Sequence, residues 1–465
     1  MDEINNKVDL LKDDMVACVQ NSVKIKSISS AADGNAPFGK DTAAALDHVL
    51  KVAKKLGFKT VNLDNYVGYA EYGDGEDYVA VLGHLDVVPE GDGWKYPPYG
   101  AEIHDGKIYG RGSMDDKGPT ISCLYALKAI VDAGLSMSKR VRIIFGLDEE
   151  NGTGKDTDYY LEHEKPPVLG FTPDAEYPII NGEKGITIFN LVKDFKTQYE
   201  GDTKIAYVKG GERSNVVPPY AEAGIKADLK GEIIDKCESF AERTGYDIKA
   251  EEKDDMVIVK SKGLAAHGST PELGKNAVMQ LLAFLDELNL GKSDLTDFIS
   301  FLNKYVGMET NGESFGIGME DKVSGKLSFN LGVIDINKNS GSVTLNVRYP
   351  VTCTYEDMME KLNARIAHTG IRVENMLHQK SLYFPEDHKL IKILQKVYKE
   401  QTGDEPNLLS IGGGTYAKDM PNIVAFGPIF KGEPDIDHQA NEYIKVEHLV
   451  LNAKIYAHAI YELAK

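Results

Sequence analysis

Hydrophobic residues in the first part of the chain follow two different spacings. Near-continuous apolar runs at 78–83, 141–147 and 168–172 predict strands that are buried on both faces, as in a parallel sheet. Apolar residues three or four positions apart at 4–20 and 120–133 predict helices. Strands that alternate with helices are typical of an open α/β sheet, whose functional sites lie at the carboxyl edge of the strands. Further predicted elements of this part are a helix from Asp41 to Gly57 and strands at 59–63 and 67–72.

The pattern changes near residue 182 and changes back near residue 382. Between these positions, alternating strands and separate helices indicate an α+β domain. Its predicted strands are 186–193, 204–208, 256–262, 327–336 and 342–349, and its predicted helices are 231–244, 275–290, 295–305 and 355–369. A helix at 388–402, a strand at 422–427 and a helix at 446–463 then resume the α/β pattern. We therefore predict an α/β domain made of 1–185 and 382–465, with an open, mostly parallel sheet flanked by helices, and an α+β domain inserted at 186–381.

Composition and charge narrow the classes of protein that fit. The 465 residues suit two or three domains, and 42% hydrophobic with 27% charged residues is typical of a soluble globular protein. A net charge of −19 without a basic run argues against nucleic acid and against an anionic membrane as partners. No apolar run approaches the ~20 residues of a membrane span. The first residues do not resemble a signal peptide, and four scattered cysteines suit a reducing compartment, so we predict a cytoplasmic protein.

Polar residues follow the predicted buried strands or begin the next helix. They are His84, Asp86, Asp115, Glu149, Glu150 and Asp174, to which we add His438 near the C-terminus. Two imidazoles and several carboxylates, with no cysteine, suit zinc, manganese or cobalt. Because clustered carboxylates repel one another, a cation is expected among them. A carboxylate that bridges two divalent ions about 3.5–4 Å apart is the usual solution.

Each of these residues also has an ordinary structural explanation. Asp115 and Asp116 suit the N-terminus of a helix, where acidic side chains are favoured. Glu149 and Glu150 suit a solvated pair after a strand, and His438 suits an ordinary loop histidine. Each explanation holds for its own residues, but it is improbable that all of them hold together.

The order of these motifs resembles that of a known enzyme family. His84-x-Asp86, Gly-Arg-Gly-x-x-Asp115-Asp-Lys-Gly, Asp-Glu149-Glu150, Asp174 and His438 follow one another as in the dinuclear zinc metallopeptidase family of aminoacylase, glutamate carboxypeptidase and succinyl-diaminopimelate desuccinylase. The resemblance covers nearly the whole chain. Within the family, the chain is most similar to the bacterial PepV-type dipeptidases. That similarity rests on Gly-Arg-Gly-Ser-Met-Asp-Asp-Lys-Gly-Pro, on Ile411-Gly-Gly-Gly-Thr415-Tyr and on the length of the insertion.

The resemblance implies two divalent metal ions per subunit, with zinc expected and manganese or cobalt as alternatives. The ligands that it implies are His84 and Asp174 for one ion, Glu150 and His438 for the other, and Asp115 as the bridge, with a cis peptide bond to Asp116. Asp86 would orient His84. Glu149 would act as the general base, taking a proton from a water held between the ions and passing it to the departing amine.

The resemblance also implies substrate-binding residues. His267 of the insertion would stabilise the oxyanion, although without the family it reads equally as a histidine at a strand end. Asn215 would touch the substrate and Arg348 would grip a free carboxylate, while a strand salt bridge is the ordinary explanation of Arg348. The stretch Gly412-Gly413-Gly414-Thr415 lacks the lysine of a phosphate loop, so a backbone-amide nest for the substrate carboxylate is preferred.

These residues lead to one principal prediction of function. We predict a hydrolase, a metal-dependent dipeptidase, that cleaves unblocked dipeptides, with the inserted α+β domain as a lid. The alternative within the family is an amidohydrolase that removes the acyl group from an N-acyl amino acid. A catalytically silent binding relative is a third class, but no ligand and no base is missing. The length of the insertion, which fills the role of a second subunit elsewhere in the family, predicts a monomer.

Overall fold

The chain folds into two compact units. The computed structural model describes residues 1–197, 203–288, 290–434 and 436–465. The first unit contains Met1–Asn181, Phe384–Leu409 and Gly414–Lys465, and the second contains Gly182–Tyr383 and Ser410–Gly413. These limits differ by a few residues from the insertion expected at 186–381, and the segment 410–413 joins the second unit.

The elements are numbered in chain order. The first stretch contains α1 Asp2–Val23, α2 Lys40–Lys55, β1 Lys59–Leu63, β2 Val67–Tyr72, β3 Tyr78–His84, β4 Glu102–His104, β5 Lys107–Tyr109, α3 Lys117–Asp132, β6 Arg140–Gly146, α4 Lys155–His163, β7 Leu169–Thr172, β8 Ala175–Glu176 and β9 Ile179–Glu183. The middle stretch contains β10 Gly185–Asp194, β11 Lys204–Gly210, β12 Tyr220–Lys226, α5 Lys230–Thr244, β13 Asp247–Lys253, β14 Met256–Lys262, α6 Ala277–Glu287, α7 Asp294–Tyr305, β15 Glu320–Asp321, β16 Gly325–Lys326, β17 Ser328–Ile336, β18 Ser340–Tyr349, α8 Tyr355–Ile366, β19 Arg372–Gln379 and β20 Leu382–Tyr383. The last stretch contains α9 Lys389–Thr402, β21 Leu408–Ile411, β22 Ile423–Ala425, β23 Pro428–Ile429, β24 Tyr443–Lys445 and α10 Val446–Ala464. Short 3₁₀ helices cover Pro271–Leu273 and Tyr416–Lys418.

The main sheet of the first unit has parallel strands at its centre. Its strands lie in the order β1-β2-β6-β3-β7-β22-β9. The pairs β3–β6, β3–β7 and β7–β22 are parallel, whereas β1, β2 and β9 pair antiparallel at the two sides. Every residue of β3 is buried, as its continuous apolar run predicted. The predicted α/β class with an open sheet is confirmed; the sheet is parallel at its centre and mixed as a whole.

Helices cover this sheet through apolar faces. Most residues of α3 are buried, and this helix packs against both α10 and α1. Its buried side chains belong to the same hydrophobic core as residues of β3 and β6, including Val79, Val81 and Ile143. The strands that hold the site residues are therefore part of a closely packed core.

The second unit is an antiparallel sheet with helices, as predicted for the α+β insertion. Its strands lie in the order β13-β14-β12-β11-β17-β18-β10-β19. The two sides of the sheet repeat one arrangement: the hairpins β11–β12 and β17–β18 are each followed by a helix, α5 or α8, and by an edge strand, β13 or β19. β11 pairs with β17 where the two arrangements meet. The core lies between this sheet and its helices, around residues such as Phe189, Val259 and Leu345.

Several short elements were not predicted from the sequence. They are the hairpin β4–β5, helix α4 and strands β8, β9, β12, β13, β15, β16, β19, β20, β21, β23 and β24. The helix predicted at 275–290 is α6, and residue 289 of that range lies outside the described residues. In the part of the chain that the structure describes, no helix combines the length and apolar character needed to cross a membrane.

Candidate metal centre and substrate-binding residues

Three neighbouring strands of the first unit end at one edge of the sheet. β3 lies between β6 and β7 and is parallel to both, although β6 and β7 follow it one after the other in the chain. Such a point, where the strand order reverses, is where open α/β sheets bind ligands. His84 ends β3, Glu149 and Glu150 follow β6, and Asp174 follows β7. The fold therefore gathers these predicted residues at one edge.

His84 is held through one ring nitrogen and faces carboxylates with the other. The side chain is fully buried, and its Nδ1 lies 3.0 Å from the backbone oxygen of Asp86. Its Nε2 lies 2.9 Å from Asp115 Oδ1 and 3.7 Å from Asp174 Oδ2. A histidine that binds a metal usually has its second nitrogen held by a carbonyl or carboxylate, and His84 has this arrangement. Asp86 Oδ2 also accepts a hydrogen bond from the backbone N–H of Glu150 at 3.1 Å, which links the ends of β3 and β6.

The two aspartates before α3 both contact His84. The peptide bond between Asp115 and Asp116 is cis, which confirms that implication of the resemblance. Asp116 precedes α3 but makes no capping hydrogen bond through its side chain. Its Oδ2 instead accepts hydrogen bonds from Thr120 Oγ1 at 2.8 Å and from the backbone N–H of His84 at 3.2 Å. Asp116 thus occupies the N-cap position of α3, as the ordinary explanation expects, but its side chain contacts His84 and Thr120 and makes no capping hydrogen bond.

The second imidazole comes from a loop near the C-terminus. His438 Nε2 lies 3.0 Å from Asp115 Oδ2 and 2.9 Å from Glu150 Oε2. Since Asp115 Oδ1 faces His84, each oxygen of the Asp115 carboxylate has a different histidine as its neighbour. A carboxylate in such a position can bridge two cations.

Ligand-type atoms at this edge fall into two groups. His84, Asp115 and Asp174 form one group, and Asp115, Glu150 and His438 form the other; in each group the ligand atoms lie within 4.8 Å of one another. Each group offers one imidazole nitrogen and two carboxylate oxygens, which suits divalent ions such as zinc or manganese. Glu150 Oε1 is buried and has no hydrogen-bond partner among the described residues, so it is free to coordinate a cation. The residues present therefore fit a pair of divalent metal ions.

The acids and bases of this site shift the pKa values of one another. Burial opposes the ionisation of Asp115, but hydrogen bonds with His438 and His84 outweigh it and lower the pKa of this carboxyl. Hydrogen bonds with Asp115 and Glu150 raise the pKa of His438 to about 11. Burial, reinforced by the neighbouring carboxylates, raises the pKa of Asp174 to about 7. The carboxylates outnumber the imidazoles, which favours a bound cation.

Glu149 lies beside the two ligand groups and belongs to neither. Burial and then the charge of Asp174 raise its pKa well above the ordinary value for glutamate. The turn that carries Glu149 is fixed by Asp156, whose Oδ2 accepts hydrogen bonds from the backbone N–H groups of Leu147 at 2.8 Å and Asp148 at 3.1 Å. Glu149 is thus a carboxyl on a well-anchored turn, next to the ligands, as proton transfer requires.

Two residues that the sequence did not single out connect the loops of the site. Glu442 is fully buried, and its carboxylate accepts hydrogen bonds from Arg111 and from the backbone N–H groups of Met114 and Asp115. Arg111 stands within the quoted Gly-Arg-Gly motif and Glu442 lies four residues after His438, but the two are 331 residues apart in the chain. Their opposite charges were the only signal in the sequence, and many other pairs share it.

Arg348 of the second unit is buried among neutral partners. Its Nε donates to Asn346 Oδ1 at 3.2 Å and its Nη1 to the backbone oxygen of Gly412 at 2.5 Å. No carboxylate among the described residues pairs with it, and burial lowers its pKa to about 10. The salt bridge that was the ordinary explanation is therefore not formed. A buried guanidinium with neutral partners suits the binding of an anion.

Asn215 and His267 lie close to each other within the same unit. The backbone N–H of Gly268 donates to the backbone oxygen of Asn215 at 2.7 Å, and His267 Nδ1 lies 2.6 Å from Ser269 Oγ. Gly412 packs against Ser269, since a Cβ on Gly412 would lie 2.7 Å from Ser269 Cβ. Because Gly412 also accepts a hydrogen bond from Arg348, consecutive contacts connect all three predicted substrate residues.

The glycine-rich loop has a regular turn at its end. The backbone-amide nest expected at Gly412–Thr415 stays a prediction. Thr415 caps the 3₁₀ helix at Tyr416–Lys418, and its Oγ1 accepts a hydrogen bond from the backbone N–H of Ala417 at 3.1 Å. Gly413 belongs to the second unit, and Gly414 and Thr415 belong to the first.

Known proteins resemble this chain in sequence and in fold. The family model described as "Peptidase family M20/M25/M40" matches residues 80–462. "Putative dipeptidase YtjP" of Bacillus subtilis (strain 168) is 38% identical over 458 residues, which are 98% of both chains. "Putative dipeptidase" of Staphylococcus epidermidis (strain ATCC 12228 / FDA PCI 1200) is 38% identical over 455 residues, which are 97% of both chains.

Solved structures share the fold at low sequence identity. Aminopeptidase PepT from Bacillus cereus has a TM-score of 0.59 at 15% identity, over 98% of this chain and 99% of that chain. Aminoacylhistidine dipeptidase from Vibrio alginolyticus has a TM-score of 0.58 at 15% identity, over 97% of this chain and 96% of that chain. The family match over most of the chain and the relatives along its whole length agree with the resemblance found in the motifs. This chain is a metallopeptidase and belongs to peptidase family M20/M25/M40.

Proposed function

We propose that this metallopeptidase is a dipeptidase that hydrolyses the peptide bond of unblocked dipeptides at a pair of divalent metal ions. The observation that carries the proposal is the position of Asp115, whose two carboxylate oxygens face the imidazoles of His84 and His438. One carboxylate shared by two ligand groups suits a dinuclear centre. The printed names of the full-length relatives support the choice of a dipeptidase.

The proposed ligands divide between the two ions. We assign His84 and Asp174 to one ion, Glu150 and His438 to the other, and Asp115 to both. Zinc is the proposed metal, with manganese and cobalt as alternatives, because all three accept mixed imidazole and carboxylate ligands. When bound, such ions lower the pKa of a water molecule and polarise a substrate carbonyl.

Proton transfer is assigned to Glu149. It takes a proton from the attacking water, whose oxygen forms a bond with the carbonyl carbon, and gives that proton to the amine nitrogen as the C–N bond breaks. The support is the position of Glu149 next to the ligands and outside both groups. Asp86 keeps the His84 ring in orientation through its backbone oxygen. His267 of the second unit is proposed to donate a hydrogen bond to the oxyanion.

Arg348 is proposed to bind the free C-terminal carboxylate of the dipeptide. Its guanidinium is buried and its partners, Asn346 and Gly412, are neutral, so its positive charge is available to a ligand. Asn215 is proposed as a further contact for the substrate because contacts through 268–269 link it to the same region of the second unit. We also propose that Gly413, Gly414 and Thr415 contact the substrate, which rests on the resemblance alone.

The cellular setting is proposed from the sequence. A cytoplasmic location agrees with the four cysteines, all of which are free thiols in the structure. A monomer agrees with the length of the second unit. Small peptides are the proposed partners, without nucleic acid or membrane, in line with the net charge of −19.

A panel of small dipeptides tests the proposal. The protein is treated with a chelator, then supplied with zinc, manganese or cobalt, and the release of free amino acids is measured. N-acetylated and C-amidated forms of the same dipeptides are the controls. Cleavage of the unblocked dipeptides alone, and only with metal, is the expected result. Preferred cleavage of the N-acetylated forms would assign the protein to the deacylases of the family, and no cleavage with any metal would refute the proposal.

A further inference from the structure

Glu442 uses both of its carboxylate oxygens to hold the segment before α3. Its Oε1 accepts hydrogen bonds from the backbone N–H groups of Met114 at 2.9 Å and Asp115 at 3.2 Å. Its Oε2 accepts one from Arg111 Nη1 at 2.6 Å, and both side chains are buried. The backbone oxygen of Glu442 accepts another from Gly110 N–H at 3.0 Å. The carboxylate therefore fixes the backbone of Asp115 itself.

Glu442 also ends the loop that presents His438. The His438 side chain is 56% exposed, so its position depends on how the loop is anchored more than on packing around the ring. Three residues after His438, Asn441 Oδ1 accepts a hydrogen bond from the backbone N–H of Lys95 at 2.6 Å, and Glu442 follows directly. The same carboxylate thus anchors the loops of Asp115 and of His438.

His84 does not depend on this anchor. It is the last residue of β3 and is paired with Gly146 of the neighbouring strand, and Asp116 accepts a hydrogen bond from its backbone N–H. No contact joins Glu442 to His84 or to Asp174 among the described residues. The two ligand groups therefore differ in how much they rely on Glu442.

We infer that Glu442 is a positioning residue of the metal centre, and that the ion bound by Asp115, Glu150 and His438 depends on it more than the other ion does. The inference rests on the proposed assignment of ligands. Glu442 belongs to neither ligand group; it acts through the backbone of Asp115 and the loop of His438. Loss of a residue that orients metal ligands typically weakens metal affinity by about 10-fold to 100-fold.

The test is metal binding by the full-length protein after chelation, measured with zinc by calorimetry and by competition with a coloured chelator. We expect the unaltered protein to bind two ions. Glu442→Gln should bind one ion with an affinity within about threefold of the unaltered protein and the second about 10-fold to 100-fold more weakly. Glu433→Gln is the matched control, because Glu433 lies in the same C-terminal stretch, pairs with Lys445 at 2.7 Å and belongs to neither ligand group. It should bind both ions normally.

A second variant separates the loss of the hydrogen bonds that Glu442 accepts from the backbone from the effect of leaving Arg111 unpaired. Glu442→Gln leaves the buried charge of Arg111 without a partner. The double variant Arg111→Met, Glu442→Met removes both charges and is expected to fold. It leaves the N–H groups of Met114 and Asp115 without their acceptor and removes the side-chain bonds that anchor the His438 loop, so it too should weaken the ion of Asp115, Glu150 and His438 more than the other ion.

The outcomes separate the inference from the proposed function. Equal weakening of both ions, or normal binding of both by the Glu442 variants, would overturn the inference while leaving the two-ion assignment intact. Uptake of a single ion by the unaltered protein would overturn the two-ion assignment, and the inference with it.

Discussion

Replacement of Asn346 by aspartate should weaken the binding of a substrate carboxylate without removing an atom from the site. Asn346 is fully buried, and its Oδ1 accepts a hydrogen bond from Arg348 Nε at 3.2 Å. Aspartate has nearly the same shape but carries a negative charge at that position. The guanidinium of Arg348 would then have a permanent anionic partner, and its charge would no longer be available to the substrate.

The size of the effect follows from the separation of the charges. Two unit charges about 4 Å apart interact by about 4 kcal/mol at an effective dielectric constant of about 20. Part of this energy is offset by the cost of burying the new carboxylate. We expect about 1.4 to 2.8 kcal/mol to be lost from the binding of the substrate, which is a rise in KM of about 10-fold to 100-fold. The value of kcat should change little, because the carboxylate is bound equally before and during the reaction.

Steady-state kinetics on unblocked dipeptides measure this effect. Asn190→Asp is the matched control: its Oδ1 accepts a hydrogen bond from Thr344 Oγ1 at 2.8 Å, and it adds the same charge to the same sheet away from Arg348. The control should leave KM unchanged. A KM for Asn346→Asp within twofold of the unaltered protein would refute the assignment of Arg348 to the carboxylate.

Three further predictions concern catalysis, metal binding and stability. Glu149→Gln should lower kcat by about 10²-fold to 10⁴-fold through loss of the general base, with both metal ions retained in elemental analysis; retained activity would contradict the role of Glu149. Removal of the metal ions by a chelator should lower Tm, since the ions bind the folded chain, and zinc should restore it; calorimetry that shows equal Tm values would contradict a preformed site. Glu71→Gln should destabilise the fold by about 3 to 5 kcal/mol at neutral pH, because Arg142 Nε donates to Glu71 at 2.7 Å and both side chains are buried. Burial opposes ionisation of Glu71, but the hydrogen bond with Arg142 and its other cationic contacts lower its pKa from the ordinary 4.5. The stability advantage over Glu71→Gln in urea unfolding should therefore be complete above pH 4.5 and disappear as the pH falls through the lowered pKa; an advantage that is independent of pH would contradict the ion pair.

The sequence predicted elements whose own residues determine their burial. β3 is apolar from Tyr78 to Gly83 and is buried throughout, so its own sequence was enough to predict a strand covered on both faces. β13 was missed because its side chains are mostly polar and exposed, and it exists as a strand through its pairing with β14. The short hairpin β4–β5 lies in a stretch rich in glycine and proline, where local composition favours a loop. Such segments become strands because they pair with a partner strand, and the sequence of the segment alone does not show that pairing.

The candidate site shows the same division. Strand ends and the order of the motifs were enough to select His84, Asp115, Glu150, Asp174 and His438, and the structure brings them together. The neutral surroundings of Arg348 and the contacts of Glu442 could not be predicted from the sequence, because both depend on segments that are distant in the chain and adjacent only after folding. Residue type indicates which chemistry a side chain can perform. Its partners decide whether that chemistry is available.

The bond between Arg111 and Glu442 has a consequence for how the enzyme matures during synthesis. It joins residues 331 positions apart, so every residue of Gly182–Tyr383 is made before the bond can form. When the nascent chain has reached residue 200, it already contains His84, Asp115 and Asp174, the residues of one ligand group, but not His438. Because domains fold as their last segments emerge, we expect the proposed two-ion site to stay incomplete until residues 438–442 have been made. A nascent chain shorter than this should therefore show no peptidase activity.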